Sequence, residues 1–121
     1  MIKLPQTEEQ LMQYIWDLET AFSKELLDKY PDPKPAQTTL ATLLKRLTEK
    51  GFITYEMFGN SRAYTPLIKK EDYFETHLNT MVEQHFNNSA FSFASFFTQK
   101  SKMSKKELEA LKKIVEDQLK K

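Results

Sequence analysis

The chain contains no cysteine, so disulfide frameworks, thiolate metal sites and thiol nucleophiles are excluded. Glycine is almost as scarce, at two residues in 121. That leaves no P-loop, no dinucleotide fingerprint and no glycine-flanked turn to expose Ser89, Ser92 or Ser95 as a nucleophile. No apolar run approaches the roughly 20 residues that cross a bilayer. The opening MIKLPQTEEQ has no signal-peptide apolar core. The two histidines, His77 and His85, do not share the i, i+4 spacing that would bring both imidazoles to one metal. These absences point to a cytoplasmic protein with no membrane insertion, no metal, no cofactor and no enzymatic activity.

What remains is an ordinary globular composition, 40% hydrophobic and 29% charged, at a length that suits one domain or a small domain with an appendage. The formal net charge of +1 hides a strong asymmetry. Residues 7–28 carry one lysine against six acids, whereas residues 34–50 carry four cations against one acid. The basic balance therefore falls on one stretch, and it coincides with a helical pattern.

Within that stretch a helix is predicted from about Ala36 to Lys50, with Leu40, Leu43, Leu44 and Leu47 on one side and Thr38, Thr42, Lys45 and Glu49 almost opposite. The leucine face suits a core. The other face offers hydroxyls and cations, as base edges and phosphates in a DNA major groove require. Gly51 is placed to end the helix as a C′ residue. Two short strands, from Phe52 and over Arg62–Thr65, then flank the turn pair Gly59-Asn60. Helix, stop and cationic-tipped hairpin in that order are the parts of a winged helix-turn-helix.

A reading helix contacts bases through its first two turns. Thr38, Thr39 and Thr42 are thus candidates for base edges or thymine methyls, with Ala41 small enough not to obstruct. Threonines at a helix start also serve as caps. Lys45 and Arg46 lie later, where phosphate contact or a solvated charge fits. At the hairpin tip Asn60 suits a turn and Arg62 a backbone or minor-groove contact.

Upstream, Thr7 with Gln10 has capping-box spacing, and Leu11, Met12, Ile15 and Trp16 form a buried stripe of a first helix. A second amphipathic pattern, Phe22, Leu26, Leu27 and Tyr30, ends at three alternate prolines, Pro31, Pro33 and Pro35, which read as a stiff extended elbow. From Lys70 a long helical pattern runs to Phe86. The phenylalanine-rich segment Phe91, Phe93, Phe96 and Phe97 comes next. A last helix opens on Ser104 with Glu107 at capping-box distance and places Leu108, Leu111, Ile114, Val115 and Leu119 on one side. These segments carry more apolar area than one short chain can cover, and a second copy of the chain is the simplest partner.

The residues TTLATLLKRLTEKGFI, the strand ending NSRAYTPL and the helix MSKKELEALKKIVE resemble the penicillinase-repressor family, the BlaI/MecI/CopY regulators, over nearly the whole chain. The resemblance implies a mainly α fold with a small β-hairpin wing: an N-terminal winged helix-turn-helix over residues 1–69 and a C-terminal helical dimerisation domain over 70–121. It implies a homodimeric repressor on a palindromic double-stranded DNA operator and places Thr38, Thr39, Thr42 and Arg46 on DNA-contacting positions, to which the residue pattern adds Lys45 and, on the wing, Asn60 and Arg62. Phe86, Phe93, Phe97, Leu108, Leu111 and Val115 are the candidate dimerisation residues. Family members are released when a membrane metallopeptidase sensor leads to cleavage in the dimerisation domain; the pair matching the cleaved bond is Phe96-Phe97, in place of Asn-Phe. Ala41 stands where relatives can have arginine, and the copper-binding cysteines of one branch are absent. Two other readings are a winged-helix protein–protein adaptor and a small-ligand regulator with a phenylalanine-lined pocket.

Overall fold

The computed structural model describes residues 1–121, which divide into two compact units, Met1–His77 and Leu78–Lys121. The first unit opens with α1 (Gln6–Leu18), whose N-cap position is Pro5 and not Thr7. The Glu9 N–H bonds the Pro5 carbonyl at 2.9 Å, so Thr7 sits inside the first turn and caps nothing. The reason is tertiary. Leu4 is buried, and its N–H donates to the Tyr73 hydroxyl at 2.9 Å, fixing where the chain enters the helix before a local cap can choose.

The second helical pattern is also corrected at its start. Ala21–Phe22 form a short strand, β1, opposite Tyr64 and Ala63, and α2 runs only from Ser23 to Lys29. Glu25 reaches back to accept from the Phe22 N–H at 2.9 Å, closing the strand-to-helix corner. A strand this short is defined by its distant partner, so local periodicity absorbed it into the helix. The proline elbow bends at Asp32–Pro33, a cis peptide, instead of staying extended. Lys34 turns its ammonium back onto the carbonyls of Leu27, Asp28 and Tyr30, the last at 2.7 Å. A cation on the open carbonyls of a helix end is the favourable electrostatic arrangement.

Next comes α3 (Gln37–Glu49), with Leu40, Leu43, Leu44 and Leu47 all buried. Burying each leucine stabilises the fold by roughly 1.5–3 kcal/mol, so the stripe anchors the helix whatever its outer face carries. Its end is a Schellman motif: Phe52 N–H bonds Leu47 O at 3.0 Å and Gly51 N–H bonds Thr48 O at 3.1 Å, with Gly51 at φ +81°. The motif turns Phe52 into the core beside Leu47.

β2 (Ile53–Phe58) and β3 (Ser61–Pro66) pair antiparallel through the two-residue turn Gly59-Asn60. Gly59 has φ +62° and Asn60 does not share it, as in hairpins with glycine at the first turn position. The sheet order is β1-β3-β2, so the wing has a third strand and β3 is central. Of β2 only Ile53 is buried; Tyr55, Met57 and Phe58 stay exposed on an edge strand.

α4 (Lys70–His85) gives its first turns to this unit through Tyr73, which is fully buried against Trp16, Phe52 and Phe74. Its hydroxyl accepts from Leu4 and donates to Glu9 at 2.7 Å, while Lys3 donates to the same carboxylate at 2.8 Å. Burial alone would raise the Glu9 carboxyl, but the hydrogen bonds from Lys3 and Tyr73 outweigh it and hold it below its ordinary range. Burial and the bond to Glu9 push Tyr73 up to about 12. Trp16 packs at the core's edge and donates to Ile68 O at 2.8 Å.

In the second unit, the phenylalanine-rich segment forms α5 (Ala90–Lys100), capped by Ser89 Oγ accepting from Ser92 N–H at 3.0 Å. α6 (Lys105–Leu119) carries the Ser104–Glu107 capping box, both bonds at 3.1 Å. Phe86 packs on Phe93 and Phe96, and Phe93 stacks on Phe97. Neither α5 nor α6 has a fully buried residue. No helix of the chain is long and apolar enough to cross a membrane.

Candidate nucleic-acid interface

The leucine stripe of α3 fixes what the opposite side can be. Gln37, Thr38, Thr39, Ala41, Thr42, Lys45 and Arg46 are all exposed, along two and a half turns of one helix. Thr38 and Thr39 are not caps, because Ala36 occupies the N-cap position and no side chain satisfies it. The Thr42 hydroxyl donates to Thr38 O at 3.0 Å. That bond uses its proton on the helix itself and leaves a methyl and an acceptor oxygen facing outward.

The cationic balance of this stretch is smaller on the surface than in the sequence. Of its four cations, Lys34 caps α2 and Lys50 is hydrogen-bonded to Glu8, a carboxylate 3% exposed. Lys45 and Arg46 are left facing solvent, with Glu49 at 4.0 Å from Lys45 in a fully hydrated pair that holds little energy. Half of the apparent basic patch is therefore structural, used to neutralise a helix end and a buried acid.

On the wing, Arg62 lies over the Tyr55 ring with its guanidinium carbon 4.4 Å from the centroid. A hydrogen bond to Tyr64, and then the neighbouring Tyr55, hold its charge more firmly still. Tyr55 and Tyr64 are themselves paired across β2 and β3. The arginine is thus aimed by two aromatic side chains, which reduces the freedom it must lose on binding. Asn60 forms the turn.

The N-terminal half of α3 and the wing tip enclose a cleft together with the start of α2. Gln37, Leu40 and Ala41 line it from α3, Asn60, Ser61 and Arg62 from the wing, and Phe22, Ser23, Lys24, Leu27 and Asp28 from the strand-to-helix corner and α2. Ser23 and Lys24 are the residues that sequence reasoning missed. Once Phe22 is assigned to the helix, both look like ordinary helical surface; Ser23-Lys24-Glu25, with the acid three residues after Phe22, was the available signal for a later start. Elsewhere, His77 stacks edge-on against Tyr73 at 4.4 Å, and Ser89 is occupied as a cap. Nowhere do three or more His, Cys, Asp or Glu side chains come together as a metal site.

The penicillinase repressor family model matches residues 4–117. The penicillinase repressor of Bacillus licheniformis is 26% identical over 121 residues, covering 97% of this chain and 94% of that protein. The solution structure of the DNA binding domain of the repressor BlaI aligns with a TM-score of 0.50 and 30% identity, covering 60% of this chain and 94% of that one. The N-terminal fold is accordingly a winged helix, and the matching family is one of repressors, not enzymes. A match across almost the whole length makes this chain a member of the penicillinase repressor family.

Proposed function

We propose that the chain is a DNA-binding repressor that acts in the cytoplasm as a homodimer on a palindromic operator. The observation that carries this reading is the exposed hydroxyl-and-cation face of α3, held rigid by its leucines and flanked by the aimed Arg62. Thr38, Thr39 and Thr42 are placed in the first turns, where a recognition helix meets base edges. Lys45, Arg46, Asn60 and Arg62 suit the flanking backbone.

Dimerisation is supported by the unfilled packing of the second unit. Phe97, Leu108 and Val115 are 50%, 43% and 53% exposed, and Phe86, Phe93 and Leu111 only partly covered. A second copy would bury them. Proteolysis by way of a membrane metallopeptidase sensor would relieve repression, and the Phe96–Phe97 bond lies within α5, upstream of every α6 contact.

Gel shifts on operator fragments selected from the source genome test the reading. Thr42→Ala is expected to blunt discrimination between operator and random DNA more than it weakens random-DNA binding, whereas Lys45→Ala weakens both alike. Wild-type protein that binds selected and random fragments equally refutes sequence-specific repression. Sedimentation of Phe97→Asp should show monomer where wild type is dimer.

A further inference from the structure

We propose that the cleft between α3, the wing tip and the start of α2 seats one phosphodiester of the DNA backbone, with Lys24 as its principal uncredited ligand; this rests on the DNA-binding reading above. The placement is geometric. A helix in the major groove and a wing reaching the adjacent minor groove must straddle the sugar-phosphate strand that divides them, since the two grooves share that strand as a wall. The space between α3 and the wing is this cleft, lined by Gln37 and Ala41 on one side and Asn60 and Arg62 on the other.

Its chemistry matches. Lys24 of α2 and Arg62 of the wing both line the cleft, so two elements far apart in sequence each contribute a cation to its wall. Ser23, Asn60 and Gln37 add uncharged donors of the kind that orient phosphate oxygens. Lys24 has no partner in an ion pair or hydrogen bond, unlike Lys29 on the same helix, whose ammonium lies 3.7 Å from Asp17. Asp28 is the one carboxylate lining the cleft, and it opposes an anion there. Ala41 adds only a methyl to the α3 side, which leaves room for the strand between helix and wing.

The test compares Lys24→Gln with Lys29→Gln, an identical charge change on the same helix outside the cleft, using fluorescence anisotropy on operator and random duplexes over a salt series. One lost phosphate contact lowers the log-log salt slope by about 0.9 per bound chain, which at 0.1 M salt is about eightfold in affinity. Lys24→Gln should show that loss on both duplexes, Lys24→Arg should restore it, and Asp28→Asn should bind more tightly than wild type. Lys24→Gln behaving as Lys29→Gln overturns the assignment while leaving the repressor reading intact, because wild-type discrimination is scored in the same assay. Inorganic phosphate titrated without DNA at constant ionic strength separates the sources: saturable binding that Lys24→Gln abolishes, together with an unchanged DNA salt slope in Lys24→Gln, would mean a free-anion site and overturn the backbone seat.

Discussion

Lys50→Met would remove an ammonium from a carboxylate that water cannot reach. The Glu8 side chain is 3% exposed and the Lys50 side chain 28%, so the pair is buried from the acid's side and open from the lysine's. Stripping one partner from a fully buried pair costs about 3–5 kcal/mol. Partial hydration on the lysine side reduces this to about 2–3 kcal/mol. For a unit the size of Met1–His77, each kcal/mol moves the midpoint by about 4–8 °C, so the drop should be on the order of 10–20 °C. Glu8→Gln should cost less, about 1 kcal/mol, because the orphaned ammonium can swing into solvent on its flexible stem whereas an orphaned Glu8 carboxylate could not. Glu8→Met with Lys50→Met should lie within about 1 kcal/mol of wild type, far from the sum of the singles. Urea unfolding followed by fluorescence of Trp16, the only tryptophan, reads this unit directly. Equal costs for the two single variants, or a double variant as unstable as their sum, would refute the reasoning.

Three further outcomes are expected. Gly51→Ala meets no neighbouring atom but must hold φ +81°, so chemical denaturation should show a loss of about 1 kcal/mol from backbone strain alone. Tyr73→Phe leaves the buried Leu4 N–H without its acceptor, costing about 1–3 kcal/mol by the same assay. It also takes a donor from Glu9: a carboxyl depressed in the fold contributes stability above its unfolded value that is lost as pH falls below it, and denaturation curves across the acid range should show a shallower loss in the variant. On the alkaline side, burial pushes both Tyr30 and Tyr73 up to about 12. The folded state therefore keeps protons that the unfolded chain gives up near 10, so stability is complete below about pH 10 and falls between there and 12. Tyrosinate absorbance should show these two ionising together with unfolding, and early ionisation of all five tyrosines in the folded protein would contradict it.

The leucine stripe of α3, its stop at Gly51 and the Gly59-Asn60 hairpin were legible because each is set by residues within a few positions of one another. The Ser104–Glu107 capping box was legible for the same reason. What escaped was set at a distance. β1 exists because Ala21 and Phe22 find Tyr64 and Ala63 some forty residues on, and α1 is entered at Pro5 and not at Thr7 because Leu4 is tied to Tyr73. The charge count over residues 34–50 misled in the same way, since nothing local reveals that Lys50 answers a buried Glu8 and Lys34 a helix end. The exposed threonine face could be foreseen from the wheel; Ser23 and Lys24 could not, because their place beside Arg62 depends on the unforeseen strand turning α2 toward the wing.

Under the proposed proteolytic relief, Tyr73 would give scission an unusual aftermath. The last ring of the first unit's core comes from the opening turns of α4, so any break beyond His77, including one in α5, would leave that core whole. The severed product would be a folded, monovalent stub and not debris cleared by its own unfolding. It would have forfeited the roughly 10²–10⁴-fold advantage of binding through two linked heads, yet kept its grip on single half-sites. Induction by cutting would then be prompt in onset but leave a residue of weak competitors, cleared only by dilution or by degradation that begins from a native fold.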